Sequence, residues 1–294
     1  MPLSDNLRGA LYMNIAMAAF TVNDSLMKAA TSTLEMPLWQ AIATRGLLTL
    51  GPLLLIGHLT GGLRFRMPRR DAVAVGLRSV GEVASTLTFL AALVHMPLAN
   101  LSAIMQSLPL AVTLAAWLFL KEPVGWRRLL AICVGFFGVM LIVRPGPEGF
   151  DHWSLLGLIS VAFVVLRDLS TRQLSKAVPS STVAVMASVA VTSTALVLSL
   201  IDGWIVPSLG QMALLAGAAA SLVVGYNYVV MVMRVGDLGF VAPFRYTSLV
   251  VALILGWLVF GTFPDGLTLA GAALVVGSGI FTLWREHRAR RAQG

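Results

Sequence analysis

The chain has 294 residues, 57% of them hydrophobic and 12% charged, with a mean hydropathy of +0.85. Soluble domains carry about 25% charged residues, so this composition excludes an ordinary water-soluble fold and selects a membrane protein. The net charge of +8 would suit a nucleic-acid binder, but the lysines and arginines concentrate in short joints between apolar runs, where membrane proteins place them for topology; no nucleic-acid partner is expected.

A membrane-crossing helix needs about 20 mostly apolar residues. The pattern predicts ten, over 8–31, 37–57, 71–94, 97–120, 127–143, 153–176, 180–201, 210–233, 238–260 and 267–284, with joints such as "HLTGGLRFRMPRR" (58–70), "RPGPEGFDHW" (144–153) and "GTFPDG" (261–266). The amino terminus lacks the basic-then-apolar pattern of a signal peptide, so the first run is expected to stay as an anchor.

Span 1 carries Asn14 and Asp24, and span 2 carries Arg45. At 1.5 Å per residue, Asp24 and Arg45 lie about 10 Å and about 12 Å inside the same end of the bundle, which predicts a pair. On span 3, Arg78 and Glu82 are four residues apart and share a helix face, with Glu82 near the middle. Gly81 and Ser85 form a small-residue pair there, as Gly217, Ser221 and Gly225 do on span 8. Such spacing lets helices approach closely, and Ser85 is also a candidate solute contact.

Span 4 brings Asn100, Ser102 and Gln106 into an apolar run, and Pro109 frees the carbonyl of Met105, a break tolerated where backbone lines a cavity. Asn100 is either a helix cap or a polar contact. Spans 5 and 10 carry Ala131/Gly135 and Ala273/Gly277, expected to be packing seams, in a monomer or a homodimer. Cys133 on span 5 allows no internal disulfide and is expected to be a small buried residue.

Span 6 holds Arg167 and Asp168, and span 9 holds Pro243, Phe244, Arg245 and Tyr246. Asp168 and Arg245 share the other half of the bundle and are expected to form a second pair. Asn227 on span 8 requires a hydrogen-bond partner, for which a solute or a cavity water would serve. Intramembrane charges usually face the bundle interior or a wet cavity. Two roles fit them: structural pairs that gate the two ends, or groups that bind the ammonium and carboxylate of an amino acid. Asp24, Arg45, Arg78, Asp168 and Arg245 are assigned to gating and ion pairing. Glu82, Gln106, Asn227, Tyr246, Asn100 and Ser85 are assigned to the solute.

With the amino terminus inside, the inner joints hold 15 lysines and arginines and the outer joints two, Lys28 and Arg144; four arginines lie within spans. That bias places both termini in the cytoplasm. Trp117–Leu118 recur as Trp257–Leu258 140 residues later, Gly81 and Ser85 fall on Ser221 and Gly225 at the same shift, and Asp24 falls on Asp168 at 144. The chain thus divides into five-span halves, 1–146 and 147–294. Because five is odd, the second half enters the membrane inverted, a design that puts transporter sites between the halves.

These features, with "LKEPVGWRRLLAICVGFFGVMLIV" (120–143) closing the first half, resemble the EamA group of drug/metabolite transporters, and most closely the YddG-type exporters of aromatic amino acids. The resemblance implies a ten-helix all-α fold, a central cavity lined by spans 1, 3, 4, 6, 8 and 9, alternating access, and residence in a bacterial inner membrane. It implies export of an amino acid or similar metabolite, with a sugar-nucleotide or phosphate-ester carrier, or a non-transporting subunit, as alternatives. Small four-span relatives use a mid-membrane Glu in the first helix, which is absent here. No Cys/His metal set, HExxH or nucleophile elbow occurs, so neither an enzyme nor a cofactor is expected.

Overall fold

The computed structural model describes residues 5–59, 63–121, 124–144, 152–175, 177–232 and 238–291, which form helices and turns without a strand. The helices are α1 (Asp5–Lys28), α2 (Leu38–Leu59), α3 (Arg69–His95), α4 (Leu98–Met105), α5 (Leu108–Leu120), α6 (Trp126–Val143), α7 (His152–Arg172), α8 (Ser180–Asp202), α9 (Leu209–Val232), α10 (Leu238–Val241), α11 (Thr247–Phe260) and α12 (Gly266–Arg291). Among the described residues, nine segments are long and apolar enough to cross a membrane, and they coincide with nine of the ten expected spans. The remaining one, α1 prolonged by a π-helical turn at Ala29–Thr33, falls short in apolarity. Asn14, Thr21, Asn23, Asp24, Ser25 and Lys28 are distributed along it, and α9 and α11 flank it, so its polar groups meet protein. The Glu122–Pro123 joint, residues 145–151 of the 144–153 joint, Lys176, Arg234 and the side chains of the basic tail lie outside the description.

The fourth and ninth spans are each divided. Span 4 breaks between α4 and α5 at Gln106–Ser107, and Pro109 is the second residue of α5, where a missing backbone N–H costs little. Span 9 breaks at a 3₁₀ turn, Ala242–Tyr246, with Pro243 in its first turn. The two breaks are tied by Gln106 Nε2, which donates to Ser248 Oγ at 2.7 Å.

Helix packing follows a regular map. The most extensive contacts join α3 to α7, α1 to α9, α6 to α12 and α2 to α8. Exchanging each span for the one five places along converts the first pairing into the second and returns the others to themselves. The seams use the small residues identified in the sequence. A Cβ on Gly81 would lie 2.9 Å from backbone atoms of Phe163 and Arg167 on α7, and one on Gly225 would lie 2.6 Å from the Phe20 ring on α1. Between α6 and α12 the seam is Gly135 and Gly138 against Gly271, Val275 and Ser278. The expected pair Ala273/Gly277 faces away, Gly277 having nothing within 4 Å of where a Cβ would be. Cys133 is exposed rather than buried; on a helix that faces lipid, the outside is as apolar as a core.

The ends are fastened by matching hydrogen bonds. On the face where α1 begins, Asp71 in the first turn of α3 accepts from Ser175 N–H and Oγ at 3.1 and 2.7 Å, beyond the end of α7. On the opposite face, Gln211 in the first turn of α9 donates to Leu34 O at 2.8 Å, beyond the end of α1. Gln211 also closes a capping box with Ser208. Lys28, expected in a joint, is buried instead: its Nζ donates to Leu93 O and Met96 O at 2.6 and 2.8 Å. It thereby satisfies carbonyls that the end of α3 leaves without intrahelical partners.

Candidate functional site

The intramembrane charges converge. On α1 and α2, Arg45 does not bond Asp24 directly. Its NH1 donates to Asn23 Oδ1 at 3.2 Å, and Asn23 Nδ2 donates to Asp24 Oδ1 at 2.9 Å. The expected pair is therefore a relay through an amide. The sequence reading missed Asn23 because its role requires α2 to lie across the helix from it.

On α3 and α7, Glu82 meets Arg78 at 3.5 Å, as the four-residue spacing predicted, and also Arg167 at 3.6 Å. Both contacts reach the same oxygen, Oε2, and both are longer than the 2.7–2.9 Å of a charge-assisted hydrogen bond. That oxygen, with Arg78 Nε and NH1, is buried and makes no hydrogen bond. Arg167 in turn holds Asp168, with Nε and NH2 each 2.9 Å from Oδ1. The expected Asp168–Arg245 ion pair is absent among the described residues. Asp168 takes the guanidinium beside it in sequence, and Arg245 feels that carboxylate only at longer range.

Tyr226 on α9 joins these groups. It interacts electrostatically with Glu82, Arg167, Arg78 and Arg45, and its ring meets Phe20 edge-on at 5.6 Å. Elsewhere along the same seam, Tyr228 meets Tyr12 at 5.5 Å. The site is thus a mixed-charge cluster against a wall of aromatic rings, all half-buried.

The other candidate solute contacts fall elsewhere. Gln106 is committed to Ser248. Ser85 Oγ donates to Glu82 O, and its own carbonyl accepts from Ser160 on α7, which makes it part of the seam. Tyr246 is turned toward Gly279 of α12, its hydroxyl buried without a hydrogen bond. Asn227 finds its partner within its own helix, Nδ2 donating to Val223 O at 2.9 Å. Asn100 lies inside α4 and does not cap it; its Oδ1 is buried and makes no hydrogen bond. Among the described residues no group of His, Cys, Asp and Glu could hold a metal ion.

A family model described as the EamA-like transporter family matches residues 7–144. A riboflavin transporter of Vibrio cholerae serotype O1 is 30% identical over 290 residues, 97% of this chain and 96% of its own length. An S-adenosylmethionine uptake transporter of Rickettsia bellii is 27% identical over 206 residues, 66% of each chain. A pseudopaline exporter of Pseudomonas aeruginosa is 26% identical over 269 residues, 91% of this chain and 93% of its own. One solved crystal structure superposes with a TM-score of 0.64 over 92% of this chain and 95% of its own, at 19% identity, a likeness of fold.

Proposed function

The chain belongs to the EamA-like transporter family, and from that premise we propose that this multi-pass membrane transporter carries a ring-bearing metabolite of the riboflavin class. The path runs between two inverted halves, 1–146 and 147–294, in the bacterial inner membrane with both termini cytoplasmic. One observation carries the solute reading: where Glu82 meets Arg78 and Arg167, Glu82 Oε2 and Arg78 Nε and NH1 are buried and make no hydrogen bond, within electrostatic range of Tyr226, whose ring meets Phe20. Buried polar groups left unpaired are costly. A solute that stacks its ring on the tyrosine and offers hydrogen-bonding edges to the cluster relieves that cost. The full-length likeness to a riboflavin transporter supports the same class.

The packing map, which survives exchange of the two halves, supports the inverted repeat and hence alternating access by rocking of one half against the other. Glu82, Tyr226 and Phe20 contact the solute. Asp24, Asn23, Arg45, Asp168 and Arg167 act in closure, and Gln106, Tyr246 and Ser85 are structural. A second reading, export of an aromatic amino acid, is favoured by the presence of both charge signs in one cluster, which would match an ammonium and a carboxylate. A sugar nucleotide or phosphate ester would meet three carboxylates, Asp24, Glu82 and Asp168, and is disfavoured.

The named relatives include both an uptake transporter and an exporter, so the test reads exchange in either direction. Proteoliposomes are loaded with labelled riboflavin, tryptophan or S-adenosylmethionine and assayed by counterflow, with and without a pH gradient. Riboflavin exchange is expected. Exchange of tryptophan alone would establish the second reading, and exchange of none of the three would refute the proposed class.

A further inference from the structure

The cluster contains four arginines, Arg45, Arg78, Arg167 and Arg245, and three acids. The acids are all accounted for: Asp24 through Asn23 to Arg45, Glu82 by Arg78 and Arg167, and Asp168 by Arg167. Arg245 is the arginine left over. Its guanidinium makes no hydrogen bond or ion pair among the described residues, although its backbone carbonyl accepts from Ser248 Oγ at 3.0 Å. It is half-buried and lies deep enough to interact with Asp168 and Arg167 on α7. Unlike Arg45 and Arg78, it contributes no nitrogen to the buried atoms sealed without a partner. Its nitrogens are thus neither bonded nor fully enclosed. The backbone presents it from the 3₁₀ turn that breaks span 9, the one tied through Ser248 and Gln106 to the break in span 4.

Resting on the solute-carrier reading above, we propose that Arg245 is the solute's anchoring residue, and that its guanidinium fork takes a planar pair of acceptor atoms on the ligand. An unpaired charge deep in the bundle is costly. A guanidinium offers donors only, in a fixed fork suited to two coplanar acceptors. A carboxylate and the dione edge of a flavin ring share that chemistry. Arg167 is the neighbour common to Arg245 and to the Glu82–Tyr226 group, which places the anchor on the same side of the cluster as the ring.

The full-length protein in detergent tests this in two arms, with Arg245→Gln, Arg245→Lys and, for comparison, Arg167→Gln. Without ligand, Arg245→Gln is expected to unfold at or above the wild-type temperature, because it removes an unpaired charge, and Arg167→Gln clearly below it. If Arg245→Gln loses as much as Arg167→Gln, the guanidinium has a structural partner and the proposal is wrong. In the second arm, binding of riboflavin is read by flavin fluorescence, and binding of tryptophan and tryptophanamide by calorimetry. Whichever binds the wild type is expected to weaken at least tenfold in Arg245→Gln, with Arg245→Lys intermediate. Riboflavin assigns the dione edge; a loss for tryptophan but not for its amide assigns the carboxylate. Unchanged affinity overturns the anchoring role. If no probe binds the wild type, the proposed solute class fails, and the thermal arm alone upholds or overturns the unpaired state of Arg245.

Discussion

Asn23–Asp24 in α1 and Arg167–Asp168 in α7 occupy matching places in the two halves, and in both the first residue donates to the aspartate that follows it. Their charges differ. The amide of Asn23 is neutral and passes the aspartate on to Arg45 of the next helix, whereas Arg167 is itself the counter-ion and reaches across the seam to Glu82. The first arrangement can separate α1 from α2 while Asp24 keeps its amide partner. The second cannot open without parting charges. The same backbone frame thus supports one soft joint and one stiff one.

The comparison breaks most severely at Glu82. Glu82→Gln leaves Arg78 without an acid and Arg167 with Asp168 alone, and a loss of about 3 kcal/mol is expected, as for breaking a buried pair, together with loss of exchange. Thermal unfolding at an unchanged temperature would show that the cluster holds nothing together. Arg167→Asn copies the first half into the second. It removes two charge-assisted bonds to Asp168, for about 2 kcal/mol by the worth of such bonds, and denaturation in detergent measures it.

The seams sharpen the contrast. Gly81→Ala drives a methyl into the α7 backbone and Gly225→Ala into a ring that can turn aside, so the first should cost about 1–3 kcal/mol and the second visibly less. Equal losses would mean that the seams are equally rigid. Asp24→Asn, at the soft joint, should slow counterflow more than it weakens solute binding; a large loss of affinity at unchanged turnover would make Asp24 a ligand group instead.

The smallest effect is at the membrane edge. Asp265 caps α12, bonded by Arg144 and by Thr268 N–H, and the Arg144 guanidinium holds its carboxyl well below the usual carboxylate range. A depressed value means that the interaction is intact above the ordinary carboxylate range and is lost only as pH falls through the depressed one. Asp265→Asn should therefore lower the Tm slightly at neutral pH, with the difference vanishing in strong acid. A difference that grew on acidification would contradict the assignment.

The span boundaries, the break at Pro109, the seams at Gly81, Gly135 and Gly225 and the Arg78–Glu82 spacing were legible along the chain, because each depends on residues within one helix or on apolar length alone; Ala273/Gly277, with the same spacing, faces away. Lys28, Asn23, Tyr226 and the fate of Asp168 were not. Lys28 reads as a joint residue until the end of α3 is brought beside it, and Asp168 could have taken either of two arginines. Gln106 and Tyr246 read as solute contacts because nothing in the chain reveals that Ser248 and Gly279 stand opposite them.

By itself, then, the sequence determined that this protein lives in a membrane and where its apolar helices run, since lipid imposes those terms on each segment separately. Which cation serves which carboxylate, and which arginine is left without one, was decided only by the packing of α1, α3, α7 and α9. Pairing energy depends on distances of a few ångströms between helices far apart in the chain, and no local pattern encodes them.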